Sequence, residues 1–144
     1  MPLYYADASA LVKLVRDEPE SAALRAFIAD ADLASCDLVL AEVPRAIRRA
    51  AALDLRLDLD VLVARAGEVI GAVALVPVDR ALLLAAGALS EPSLRALDAI
   101  HVAAAGSLTP IDGFLGYDER QGAAARLAGL RTFAPGASGA AGSS

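Results

Sequence analysis

The sequence predicts an α/β domain in which a mostly parallel sheet carries helices on both faces. Two observations lead there. Short runs of β-forming residues alternate along the chain with longer runs of helical spacing, and parallel strands need such long crossovers between them. The length is 144 residues, 57% of them apolar and 22% charged, which suits one domain with a core that needs no disulfide or metal staple. No period of about 20–50 residues repeats, so a solenoid is excluded.

In chain order, Leu3-Tyr4-Tyr5-Ala6 reads as the first strand and Ser9 to Val15 as a short helix that Asp7 is placed to cap. Glu18 to Ala31 is helical, with Leu24, Phe27 and Ile28 on one face, and Leu33 to Cys36 is a second strand. Asp37 is expected to cap Leu38 to Ala52, where Leu40, Val43 and Ile47 keep helical spacing and Pro44 should introduce a kink. Asp58 to Val73 forms the next helix and Ala74 to Val78 the third strand. Asp79 can cap Arg80 to Leu89, and the turn Ser90-Glu91-Pro92-Ser93 separates that helix from Leu94 to Ala105. Gly113 to Tyr117 is the fourth strand, Asp118 to Ala128 a helix and Arg131 to Ala134 the last strand. The folded domain is thus expected over residues 1–135, with 136–144 (Gly-Ala-Ser-Gly-Ala-Ala-Gly-Ser-Ser) a flexible low-complexity tail.

Charge and cysteine content narrow the function classes. With 13 Lys and Arg against 18 Asp and Glu, the net charge of −5 argues against a simple basic nucleic-acid binder. The single cysteine, Cys36, cannot form an internal disulfide, which fits a cytoplasmic protein. The N-terminus lacks a basic start followed by an apolar stretch, so no secretory signal is expected. Every apolar run is broken by Arg or Asp well short of the ~20 residues that span a bilayer, so no membrane association is expected either.

Ligand sites in open α/β sheets gather at the carboxyl ends of the strands. Asp7 follows the first strand and Asp118 the fourth; Glu42 lies one turn into the helix after the second strand, and Asp98 sits in the first turns of an otherwise apolar helix. Acids gathered without cations repel one another and raise each other's pKa. A hard divalent ion, Mg²⁺ or Mn²⁺, relieves that repulsion and suits phosphate chemistry. Each acid also has a plainer role. Asp118 and Gln121 have the spacing of a capping box, Glu42 and Arg45 that of a surface ion pair, and Asp7 that of a cap. Asp98 is the hardest to explain structurally, because an unpaired carboxylate on an apolar helix is costly. His101, the only histidine, shares a face with Asp98 and reads as a structural or hydrogen-bonding partner, and Tyr117 as packing. Arg45, Arg48 and Arg49 form a basic stripe, a solvated face by default and otherwise a contact for phosphates or an acidic partner. Glycine-rich phosphate loops, paired Cys/His zinc ligands and a G-x-S-x-G elbow are all missing.

Four segments together carry a family resemblance. Tyr5-Ala6-Asp7-Ala8-Ser9, Ala41-Glu42-Val43-Pro44-Arg45, Leu97-Asp98-Ala99-Ile100-His101-Val102-Ala103 and Tyr117-Asp118-Glu119-Arg120 resemble, in order and spacing, the acidic motifs of PIN-domain ribonucleases, and in particular the VapC toxins of bacterial toxin–antitoxin pairs. The resemblance implies a three-layer α/β/α sandwich with a parallel five-stranded sheet. It implies a Mg²⁺ (or Mn²⁺) site formed by Asp7, Glu42, Asp98 and Asp118, with the Ser9 hydroxyl supporting it. The implied activity is endonucleolytic hydrolysis of RNA by a metal-activated water, and the implied partners are a second copy and a VapB-like antitoxin that covers the groove. The chain departs from the pattern at Gly116, where the family usually carries Thr or Ser, and at Pro44. Two other readings compete. A catalytically silent PIN-like module holding an antitoxin–DNA complex is motivated by Gly116. A phosphoacceptor receiver domain is disfavoured, because Asp79 follows the third strand but Asp7 has no acidic neighbour and the only lysine is Lys13.

Overall fold

The computed structural model describes residues 1–138. Five strands, β1 (Leu3–Ala6), β2 (Asp32–Cys36), β3 (Ala74–Val76), β4 (Gly113–Leu115) and β5 (Thr132–Phe133), pair in the order β3-β2-β1-β4-β5. Every pairing is parallel, with Tyr5 opposite Ala34 on one side and Phe114 on the other. The chain builds outward from β1 to β3 and then returns to place β4 against the free side of β1. Strand order therefore reverses beside β1, the position where open α/β sheets form a crevice.

Period-two alternation sends neighbouring strand residues into two separate cores. Tyr5, Cys36 and Phe114 face a core shared with Leu82 and Ala86 of α5 (Arg80–Gly87), Ile100 and Val102 of α6 (Ala96–Ser107), and Ala124 and Ala125 of α7 (Glu119–Leu127). Ala6 and Leu115 face the other, filled by Leu11 and Val15 of α1 (Ala8–Val15), Leu24 of α2 (Ser21–Phe27), Val43 and Ile47 of α3 (Val39–Leu53), and Leu62 of α4 (Leu59–Gly71). The result is the three-layer α/β/α arrangement expected from the sequence. Among the described residues, no helix is long and apolar enough to cross a membrane.

Local chemistry explains where element boundaries differ from expectation. Asp37 does not cap α3: Leu38 is the cap residue and no side chain accepts there. Instead the Asp37 N–H donates to the Val76 carbonyl (3.0 Å) and its carbonyl accepts from Leu40 (3.1 Å), so its backbone carries the chain from the sheet into the helix. α2 starts at Ser21 because the Ser21 hydroxyl accepts from the Glu18 N–H (2.9 Å) and donates to the Arg16 carbonyl (3.2 Å), holding residues 18–20 in a turn. β3 stops at Val76, since Pro77 has no N–H for the ladder. α3 runs through Pro44 as one helix. Beyond β5 the chain turns at Pro135–Gly136, where Ala137 donates to the Ala134 carbonyl (3.0 Å). Gly136 has φ +81°, and a Cβ on it would lie 2.9 Å from the Ala23 Cβ of α2. Of the tail expected over 136–144, residues 136–138 continue this turn, and 139–144 lie outside the described residues.

Candidate active site

Asp7 leaves β1 at the switch point. Its N–H extends the ladder to the Leu115 carbonyl (3.1 Å), and its side chain caps α1, accepting from the Ala10 N–H (3.0 Å) and the Ser9 hydroxyl (2.7 Å) through one oxygen, Oδ1. The Ser9 hydroxyl in turn accepts from the Tyr117 N–H (3.2 Å), so it joins the loop after β1 to the loop after β4. Asp7 is only 4% exposed, and burial pushes its carboxyl up, partly countered by the Ser9 and Ala10 hydrogen bonds.

The departure at Gly116 acquires a physical meaning here. A Cβ at that position would lie 2.8 Å from Asp7 Oδ2 and 3.1 Å from the Phe114 ring. The space a Thr or Ser would fill is taken by the second carboxylate oxygen of Asp7.

Glu42, on α3, makes no ion pair with Arg45; its Oε1 instead accepts from His101 Nε2 at 2.6 Å. His101 is 1% exposed, and its Nδ1 lies 2.7 Å from the Tyr5 hydroxyl and 3.7 Å from Cys36 Sγ. Burial works against charge on His101, but the contacts to Cys36 and Glu42 outweigh it and push its pKa up to about 10. Asp98 is half-buried on α6, with the Gln121 amide 3.5 Å from Oδ1. Its carboxyl is raised by burial and then by Asp118 and Glu42. Asp118 is exposed and caps α7 by accepting from the Gln121 N–H (3.0 Å). Only half of the expected capping box therefore forms, because the buried Gln121 side chain turns toward Asp98.

Asp7 follows β1 and Asp118 follows β4, while Glu42 on α3 and Asp98 on α6 are tied toward the same end of the sheet through His101 and Gln121. Among the described residues none of the four is ion-paired to Arg or Lys; only His101 meets one of them. All-oxygen donors that form no ion pair with Arg or Lys among the described residues, two of them (Asp7 and Asp98) with raised carboxyls, fit a hard divalent cation. As the side chains stand, no three His, Cys, Asp or Glu among the described residues converge closely enough to hold an ion. Arg45, Arg48 and Arg49 are exposed and unpaired among the described residues. The only lysine is committed elsewhere. Lys13 meets Glu18 (2.6 Å) and Glu20 (3.1 Å) and lies 4.6 Å over the Tyr117 ring, whose hydroxyl donates to the Pro135 carbonyl (2.9 Å). The His101–Glu42 contact and the Gln121–Asp98 approach join residues 59 and 23 positions apart, and no local spacing in the sequence signals either.

A parallel sheet with order 3-2-1-4-5, helices on both faces and acids gathered at its switch point defines the class of PIN-like α/β domains. The chain belongs to the PIN-domain family: that domain matches residues 4–112, a span that includes Asp7, Glu42 and Asp98 and ends before Asp118. It is 37% identical over 138 residues to Ribonuclease VapC46 of Mycobacterium tuberculosis (strain ATCC 25618 / H37Rv), covering 94% of this chain and 99% of the relative. It is also 37% identical over 140 residues to Ribonuclease VapC35 of strain CDC 1551 / Oshkosh (93% and 98%), and 30% identical over 141 residues to Ribonuclease VapC47 of that strain (94% and 98%).

Proposed function

We propose that this protein is a metal-dependent endoribonuclease, the toxin of a type II toxin–antitoxin pair acting in the cytoplasm. One observation carries the reading: in a chain similar over nearly its whole length to VapC ribonucleases, four acids that form no ion pair with Arg or Lys among the described residues stand at the end of the sheet where the strand order reverses. Asp7, Glu42, Asp98 and Asp118 would hold Mg²⁺ or Mn²⁺. When bound, such an ion lowers the pKa of water and offsets charge developing on the phosphodiester.

The chain's own groups supply orientation. Ser9 and the Ala10 N–H fix Asp7 through Oδ1 and leave Oδ2 for a ligand. The Gln121 amide stands beside Asp98, and exposed Asp118 marks the rim through which an RNA strand would enter. Arg45, Arg48 and Arg49 continue along α3 from Glu42 and would meet backbone phosphates, which a chain of net charge −5 needs local cations to attract.

Two apolar surfaces support the partner reading. A groove of about 410 Å³ between α3 and α4, lined by Leu40, Pro44, Ile47, Arg48, Val63 and Ile70, would seat a segment of a VapB-like antitoxin. The cleft between α5 and α6, beside exposed Leu83, Leu84 and Leu97, would pair two copies into a homodimer.

The test is Mn²⁺ titration and cleavage of single-stranded RNA by wild-type protein and by D98N. The wild type should bind Mn²⁺ and cleave RNA only with metal, and D98N should lose both at an unchanged melting temperature. No Mn²⁺ binding near millimolar would favour the silent-module alternative, and full activity of D98N would overturn the site.

A further inference from the structure

Glu42 and His101 stand on opposite layers. α3 packs into the core on one face of the sheet and α6 into the core on the other, so their 2.6 Å bond reaches across the sheet's carboxyl edge. The two ends of that bond differ in freedom. Glu42 has a long side chain, 24% exposed, which nothing else among the described residues hydrogen-bonds. His101 is fixed by its surroundings. Its Nδ1 is engaged by Tyr5 (2.7 Å) and Cys36 (3.7 Å), and its ring packs edge-on against Tyr5, which itself stacks on Phe114 with centroids 5.4 Å apart. The one polar direction left to the imidazole is Nε2, and there the Glu42 carboxylate accepts. Glu42 thus has one oxygen held and the other unclaimed, the arrangement Asp7 reaches through Ser9 and the Ala10 N–H.

We propose that His101 is the positioning residue for Glu42: a buried imidazole, anchored on β1 and β2, that holds one carboxylate oxygen and leaves the other for the cation. This rests on the reading of Glu42 as part of the metal site. A carboxylate whose orientation is set before binding loses less freedom when it takes up an ion, and removing the hydrogen-bond partner of a ligand commonly weakens metal affinity by about 10–100-fold.

The experiment measures Mn²⁺ affinity by calorimetry, without RNA, on the full chain and its H101N, H101Q and E42Q variants, each with a thermal melt. Both His101 variants lose the ring and its packing, but only the Gln amide is long enough to donate to Glu42. Positioning predicts that H101N binds Mn²⁺ about 10–100-fold more weakly while H101Q stays within a few-fold of wild type. Wild-type or tighter affinity in H101N, or equal losses in both variants, overturns the proposal. Wild-type affinity in E42Q is a separate outcome, which removes Glu42 from the metal site and overturns the reading of Glu42 on which this inference rests.

Discussion

Replacing Asp7 separates what its carboxylate does for the fold from what it does for a ligand. In D7A the cap of α1 disappears, at about 1 kcal/mol, and the Ser9 hydroxyl loses a charged acceptor at 2.7 Å, a bond of about 1.5–3 kcal/mol. The two overlap, so a total of about 2–4 kcal/mol is expected. At roughly 3 °C per kcal/mol for a chain of this size, D7A should melt about 6–12 °C below wild type. D7N keeps the acceptor oxygen for Ala10 and Ser9 and fills the same volume, and it removes a charge that burial already disfavours. Its melting point should lie within about 3 °C of wild type, on either side. Both variants should lose Mn²⁺ affinity and RNA cleavage together. The assays are a calorimetric melt, a Mn²⁺ titration and a cleavage time course on the same preparations. A D7N protein that melts as low as D7A, or one that still binds Mn²⁺ like wild type, would refute this division of roles.

Two further outcomes follow from named contacts. G116A puts a methyl 2.8 Å from Asp7 Oδ2, so it should cost about 1–3 kcal/mol in a denaturant titration and weaken Mn²⁺ binding several-fold; wild-type behaviour in both would show that Asp7 does not need that space. Replacing Arg45, Arg48 and Arg49 together by Ala should weaken RNA binding, measured on the D98N background, and flatten the dependence of log affinity on log salt by up to about 2, with an unchanged slope removing the stripe from the RNA path.

The layers were legible because alternation of strands and helices is written locally. Leu3–Ala6, Asp32–Cys36 and Gly113–Leu115 are short β-forming runs separated by helical spacing, and the side-chain caps at Asp7, Asp79 and Asp118 are set within three residues of the group they satisfy. Partners across the fold were not legible. Arg45 is the neighbour of Glu42 that spacing displays, but an exposed pair three residues apart gains little in water, whereas His101 offers a donor already desolvated and aimed. Gln121 shows the same preference, turning its buried amide to Asp98 while its backbone alone completes the cap of α7. Asp37 misled for the opposite reason: its type suits a cap, but a backbone bond to β3 fixes its place first. Gly116 reads as a missing hydroxyl, and only the neighbouring carboxylate shows that the volume is in use.

The sheet order also sets when during synthesis the acidic cluster can be completed. β1 is made first, yet one of its two edges waits for β4, whose residues 113–115 are among the last third of the chain to leave the ribosome. Asp98 and Asp118 flank that late strand, so a nascent chain carries Asp7 and Glu42 for most of its translation without the other half of the cluster. Pairings this distant in sequence form slowly and late. A chain that ends before β4 therefore lacks both Asp118 and the strand that completes the switch point beside β1.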